Sequence, residues 1–296
     1  MNTHPPDTTP APGLLETVRR ELRLRNYSQK TIKSYVSCLR TYIRFLRPLH
    51  PRDARDENIR RFILSLIESG DYAPSTINQI INALRFLYAE LYQKPFVLGD
   101  LPRPKRERKL PVVLSEEDVL RIFEATENLK HKALLMMVYS AGLRVGEAVR
   151  LRWEDLDEER NTIHIRSGKG KKDRYTILSD TVTNVLKRYA DWYHPREWLF
   201  EGQDRRKHLS VRSAEYIFSQ AVSRAKIRKR VSIHSLRHAF ATHMLEHGTD
   251  LRYIQHLLGH RSIKTTEIYS HVTNRKMAKL RSPIDNIKTL KRNDGD

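Results

Sequence analysis

Apolar residues recur at helical spacing through most of the chain. Ser28 suits an N-cap, and Ile32, Tyr35, Val36, Leu39, Tyr42, Ile43 and Leu46 follow along one face. Residues 13–25 form a weaker amphipathic stretch before it. A third helix is predicted through "ENIRRFILSLIES", closed at Gly70 by a left-handed cap. A fourth opens at Ser75, with Ile77, Ile80, Ile81, Leu84, Leu87 and Tyr88 on one side. Together these predict a small all-helical domain.

Pro102, Pro104 and Pro111 then resist helix formation. Beyond them Ser115 opens a new helix, with Asp118 in the capping-box position. Helical patterns continue through "HKALLMMVYSAG", "VGEAVRLRW", "TVTNVLKRYADWY", "VRSAEYIFSQAVSRA", "HSLRHAFATHMLEHG", "LRYIQHLLGH" and "TEIYSHV". One segment breaks the pattern. In "NTIHIRSGKGKKDRYTILS", Ile163 and Ile165 alternate with polar residues, as do Tyr175 and Ile177, around a glycine-lysine turn. That predicts a β-hairpin. The fold class is therefore mainly α with a small β-hairpin or sheet. The expected divisions are a disordered tail over 1–12, a helical domain over 13–97, a linker over 98–112 and a second domain over 113–296.

Charge points to the partner. The 296 residues carry a formal net charge of +20, which favours a polyanion, with nucleic acid the first candidate. The linker "LPRPKRERKL" sets five basic residues (Arg103, Lys105, Arg106, Arg108 and Lys109) against one acid. Residues 1–100 hold 15 basic and 10 acidic residues, and residues 111–296 hold 35 and 24. Both sides of the linker are thus basic, as a protein gripping DNA from two sides requires. No apolar run reaches the length of a membrane span. Cys38 is the single cysteine, which excludes an internal disulfide and any cysteine-based zinc site, and fits a cytoplasmic location.

Residues 234–248 concentrate His234, His238, His243 and His247 around Arg237. The H-M-L-E-H segment matches a short zinc-peptidase pattern, but it ends at the helix stop Gly248 and no second ligand pattern follows. Zinc is therefore not expected. A phosphodiester reaction offers another use for these residues. It needs cations around the non-bridging oxygens, a nucleophile, and an acid for the leaving oxygen. Arginine suits the first task, because its planar fork holds two phosphate oxygens at once. Arg144 in "AGLRVGEA" and Arg237 in "HSLRH" stand out for that role.

In order, "AGLRVGEAVRL", "SGKGKKDRYTIL", "HSLRHAFATHMLEHG", "LRYIQHLLGH" and "TTEIYSHV" resemble the successive signature segments of the tyrosine recombinases, the family of Xer, phage-integrase and integron-integrase proteins. Residues 13–94 also resemble that family's helical core-binding domain. The resemblance implies Tyr269 as nucleophile, nine residues after His260 as in the family. It also implies Arg144 and Arg237 as phosphate clamps, and Lys169 as proton donor to the leaving 5′-oxygen. His234 and His260 would complete the phosphate site, and Glu147 would orient Arg144. Lys171 and Lys172 read as backbone-phosphate contacts; His238, His243 and His247 read as residues serving their helix. Ala148 departs from the family, which often has leucine there.

The implied activity is site-specific recombination through a covalent 3′-phosphotyrosine, without cofactor or metal. The implied assembly is a homotetramer on two double-stranded DNA duplexes, associated with the nucleoid. The alternatives are a type IB topoisomerase, which reseals the same strand, and a non-catalytic DNA-binding protein of the same fold. After Tyr269, Met277, Leu280, Ile284, Ile287 and Leu290 form an apolar stripe interrupted at Pro283. It suits docking on the same subunit or on a neighbour.

Overall fold

Side-chain caps and prolines set the starts of many helices. The computed structural model describes residues 13–94, 112–166 and 173–260, in two compact units, one on each side of residue 108. In the first unit α1 spans Leu14–Leu24 and α2 spans Gln29–Leu46. Ser28 caps α2, its Oγ accepting the Thr31 amide at 3.1 Å. Helix α3 covers Asp56–Glu68 and ends toward Gly70, whose φ is +69°. Helix α4 covers Pro74–Arg85, one residue earlier than its pattern predicts, because Pro74 is suited to the first helical turn. The apolar face continues past Arg85, but Phe86–Leu91 is a π-helical turn.

The core of this unit is aliphatic and aromatic: Val18, Leu39, Phe62, Ile81 and Leu84 are all buried. It also encloses a short polar chain. Tyr88 donates to the Pro51 carbonyl at 2.7 Å, and the Tyr42 hydroxyl meets the Tyr88 hydroxyl at 2.8 Å. Since Tyr88 has its one proton on Pro51, Tyr42 must donate to Tyr88.

The second unit contains α5 (Glu116–Glu124), α6 (Leu129–Ser140), α7 (Val145–Ala148), α8 (Asp180–Tyr193), α9 (Val211–Arg224), α10 (Ile233–Glu246) and α11 (Leu251–Leu258). Ser115 and Asp118 close the predicted capping box reciprocally, at 3.1 and 3.2 Å. The predicted hairpin is part of a three-stranded antiparallel sheet in the order β1 (Leu156–Asp157), β2 (Thr162–Ile165) and β3 (Arg174–Ile177). Ile163 and Ile165 point into the core, as their alternation predicts.

Strand β3 has the opposite phase. Tyr175 is 56% exposed and Ile177 36%, whereas Thr176 is 1% exposed and donates to the Ala141 carbonyl at 2.9 Å. The register pairs Ile163 with Thr176 and Ile165 with Arg174, so directly opposed residues share the inner face. Inner polar residues here have partners that the local sequence does not reveal.

Helix α10 is the centre of the unit and packs against α5, α6, α9 and α11. Ten of its residues are buried, from Ile233 to Leu245. Gly142, at φ +59°, lies against it. A Cβ there would fall 2.5 Å from the Phe240 ring, so the turn after α6 can approach only as glycine.

Candidate active site

Three segments converge on one carboxylate. Arg144 is the N-cap of α7, with extended backbone, and Glu147 lies one turn later. Glu147 accepts the Arg144 amide at 2.9 Å and Arg144 Nη1 at 2.7 Å. From β3, Arg174 Nη1 and Nη2 reach the two oxygens of the same carboxylate at 3.0 and 2.8 Å. From α10, Arg237 Nη1 stands 3.9 Å from it. All four side chains are enclosed, with exposures of 21% for Arg144, 9% for Glu147, 8% for Arg174 and 3% for Arg237.

The same three guanidinium groups also close the end of α11. Arg174 Nε donates to the Leu257 carbonyl at 2.9 Å, and Arg237 Nη2 to the Leu258 carbonyl at 2.7 Å. Arg144 Nη2 lies 3.5 Å from the Gly259 carbonyl, the longest of these three distances. A helix leaves its last carbonyls without intrahelical donors, so these cations satisfy them and meet the negative end of the helix dipole. Gly259 makes the stop with φ +62°. Its missing Cβ leaves room for the Arg174 stem, which would otherwise lie 2.7 Å away.

Three histidines complete the cluster. Arg237 Nη2 contacts His260 Nε2 at 3.1 Å. A guanidinium only donates, so Nε2 accepts and the imidazole is neutral, with its proton on Nδ1. Burial, then the Arg237 and Arg144 charges, push the His260 pKa down to about 4. His234, open to solvent at the start of α10, is lowered by desolvation and then by Arg237 and Arg144. His238 lies with its ring 5.9 Å from that of His234, and burial followed by the His234 and Arg237 charges holds it at about 4.

Glu147 moves in its usual charged direction. Burial alone would raise its pKa, but hydrogen bonds and charge from Arg174, then Arg144, outweigh this and hold it at about 2. Three permanent cations and one carboxylate leave these four residues with net charge +2, beside neutral imidazoles. Such an enclosed cationic centre is built for an oxyanion.

Of the residues singled out in the sequence, Arg144, Glu147, Arg237 and His260 meet directly, and His234 faces the same charges. His243 and His247 stand apart from them. His243 Nδ1 bonds the Tyr139 hydroxyl at 2.9 Å, and His247 Nδ1 bonds the His243 carbonyl at 2.7 Å. His243 is buried and packs α10, whereas His247 is an exposed C-cap residue 3.4 Å from Glu116. His238, read in the sequence as another residue serving its helix, instead borders His234. Arg174 was not singled out at all. Lys169, Lys171, Lys172, Tyr269, the linker cations and the apolar stripe after Tyr269 lie outside the described residues.

The fold and this cationic centre suit the binding of an oxyanion, and comparison with known proteins gives the kind of protein. Residues 112–276 match the model of the phage integrase family, and residues 14–97 match the phage integrase N-terminal SAM-like domain. A putative integrase/recombinase, y4qK, of Sinorhizobium fredii is 38% identical over 277 residues, covering 92% of this chain and 88% of that protein. The tyrosine recombinase XerA of Pyrococcus horikoshii is 34% identical over 280 residues, covering 94% of each.

Two solved structures share the fold. XerH site-specific recombinase bound to a palindromic difH substrate, in a post-cleavage complex, superposes with TM-score 0.73 at 22% identity, covering 90% of this chain and 82% of that one. A lambda integrase tetramer bound to a Holliday junction gives TM-score 0.69 at 19% identity, covering 92% and 79%. The chain belongs to the phage integrase family and is a tyrosine-type site-specific DNA recombinase.

Proposed function

We propose that the protein cuts one DNA strand with Tyr269, holds the break as a 3′-phosphotyrosine, and passes the freed 5′-hydroxyl to a second duplex. The observation that carries this reading is the carboxylate shared by Arg144, Arg174 and Arg237, which sets net charge +2 beside His260. A phosphodiester carries one negative charge. Attack by a tyrosinate brings a second, so the pentacoordinate transition state matches the +2 centre better than the ground state does.

In the forward step the Tyr269 Oη–P bond forms as the P–O5′ bond breaks. Arg144 and Arg237 hold the non-bridging oxygens. The phenol proton leaves to the neutral imidazole of His234, whose pKa is lowered by its surroundings, while His260, its Nε2 held by Arg237, helps to form the phosphate site. Lys169 gives a proton to the departing 5′-oxygen. Rejoining reverses each transfer with the 5′-hydroxyl of the partner strand. One ester replaces another, so the exchange needs no external energy source.

In this reading the helical domain over 13–97 and the catalytic domain over 113–296 each contact double-stranded DNA. The linker over 98–112, with Arg103, Lys105, Arg106, Arg108 and Lys109, follows the phosphate backbone. Lys171 and Lys172 add backbone contacts near Lys169. Exchange between duplexes needs two cut sites at once, hence four subunits on two duplexes, as in the lambda integrase tetramer on a Holliday junction.

The test is a nicked substrate that traps the covalent intermediate. Wild-type protein should accumulate a protein–DNA adduct, and Tyr269→Phe should bind the DNA yet form none. An adduct in the variant would refute the nucleophile. Relaxation of supercoiled DNA with no exchange between duplexes would favour the topoisomerase reading.

A further inference from the structure

We infer that Arg174 is the positioning residue of the phosphate clamp, the group that keeps Arg144 and the end of α11 in one fixed geometry. The inference rests on the reading that Arg144 and Arg237 hold the scissile phosphate. All three nitrogens of Arg174 are engaged, Nε on Leu257 and both Nη atoms on Glu147, at 2.8 to 3.0 Å. Arg237 is also engaged, through Nη1 on the Gly142 carbonyl and Nη2 on the Leu258 carbonyl and His260. Of the three arginines, Arg174 is the one that grips Glu147 with both Nη atoms. Its side chain is 8% exposed, and its stem passes beneath Gly259.

Arg144 is held differently. It is more open, at 21% exposure, and its reach to α11 is 3.5 Å long. Its one strong side-chain tether is Glu147, and Glu147 is fixed from the far side by Arg174. Without Arg174, Glu147 would keep Arg144 and a distant Arg237 at 3.9 Å. The carboxylate could then follow Arg144 instead of anchoring it. The Leu257 carbonyl would lose its donor too, loosening the helix end that carries His260.

Strand β3 supplies the rigidity. Arg174 is paired with Ile165 in the sheet, and the neighbouring Thr176 is tied to Ala141, just before the turn that leads to Arg144. The backbone on both sides of the arginine pair is therefore fixed by the same strand.

The experiment compares strand cleavage in a single turnover, at saturating DNA, for wild type, Arg174→Ala, Arg174→Lys and Arg144→Ala. Two scissile linkages are used: the normal phosphodiester, and a methylphosphonate in which a methyl replaces one non-bridging oxygen and removes its charge. On the phosphodiester, Arg174→Ala should lose cleavage by about 100-fold, the scale of misplacing a reacting group by about 1 Å. DNA affinity should change by no more than about threefold. Arg174→Lys should also be slow, since one ammonium cannot make the three directed hydrogen bonds.

On the methylphosphonate, where there is less charge for Arg144 to neutralise, the deficits of Arg144→Ala and Arg174→Ala should shrink together. The double variant should be no slower than Arg144→Ala alone. An equal Arg174→Ala deficit on both linkages would overturn the proposal and leave a purely structural residue. If Arg174→Ala does not fold, Arg174→Lys decides by the same comparison. Full phosphodiester cleavage by Arg144→Ala would instead refute the underlying clamp.

Discussion

Replacing Glu147 with glutamine removes one negative charge from beneath three guanidinium groups and changes little else in shape. The ionised carboxyl is held at about 2 in place of 4.5. At ~1.4 kcal/mol per decade this amounts to ~3 kcal/mol of stabilisation. Breaking a buried ion pair costs about 3–5 kcal/mol in general. Glutamine keeps an oxygen that can accept one of the arginine donors, so a loss of about 2–3 kcal/mol is expected. For a domain of this size the melting temperature falls by about 2–4 °C per kcal/mol, giving a drop of about 4–12 °C.

The pH dependence follows from the depressed pKa. Stabilisation by Glu147 is complete above about 4.5 and is lost as pH falls from there toward about 2. The difference between wild type and Glu147→Gln should therefore be constant above pH 4.5 and close below it. Sulfate should also stabilise the variant more than wild type, because losing the carboxylate charge raises the three-arginine centre from +2 to +3. Thermal unfolding followed by circular dichroism, with and without sulfate, measures all of this. Equal melting temperatures at pH 7, with equal responses to sulfate, would show that the three arginines do not depend on this carboxylate.

Four further outcomes are expected. Lys169→Ala should be rescued by a 5′-bridging sulfur, which leaves without a proton; rescue of Lys171→Ala or Lys172→Ala instead would name a different acid. Neutralising Arg103, Lys105, Arg106, Arg108 and Lys109 should weaken binding to all sequences alike and flatten the slope of log affinity against log salt by about 0.9 for each phosphate no longer neutralised; an unchanged slope would leave the linker as a tether only. Cleavage should persist as pH falls through 6.5 and decline toward pH 4, where His260 gains a proton that opposes Arg237; an inflection near 6.5 in the single-turnover rate would contradict a neutral His260. Truncation after Asn274 should preserve binding to a single site but abolish synaptic complexes, and a truncated protein that still pairs and recombines duplexes would remove the tail from assembly.

Helices with one apolar face and a side-chain cap were legible in the sequence. Ser28 with Ile32, Val36 and Leu39 is one case, and Ser115 with Asp118 is another. Arg144 and Arg237 were legible through the signature segments around them. Arg174 was hidden by its surroundings, since in "GKGKKDRY" a buried arginine reads like the solvated lysines beside it. The exposed Tyr175 and Ile177 reversed the apparent phase of β3 and pointed attention to the wrong face. His238 was hidden for a related reason. Helix α10 is buried on nearly all sides, so no polar stripe separates residues facing the site from residues facing the core. The signal that could have found Arg174 is the sheet register, because it sits opposite the buried Ile165.

The closure of α11 shifts where mutation can do damage. Arg144, Arg174 and Arg237 hold the carbonyls of Gly259, Leu257 and Leu258, and no side-chain substitution can delete a carbonyl. These partners are therefore shielded from the most direct form of genetic loss, and a substitution scan of α11 would not identify them as partners. The exposure lies instead in whatever shapes the path of the backbone. Gly259 carries most of it: at φ +62° a side chain is strained, and a Cβ would collide with the Arg174 stem at 2.7 Å. A residue with no side chain and no chemistry of its own is thus the narrowest point through which changes at the end of α11 can reach the arginine cluster.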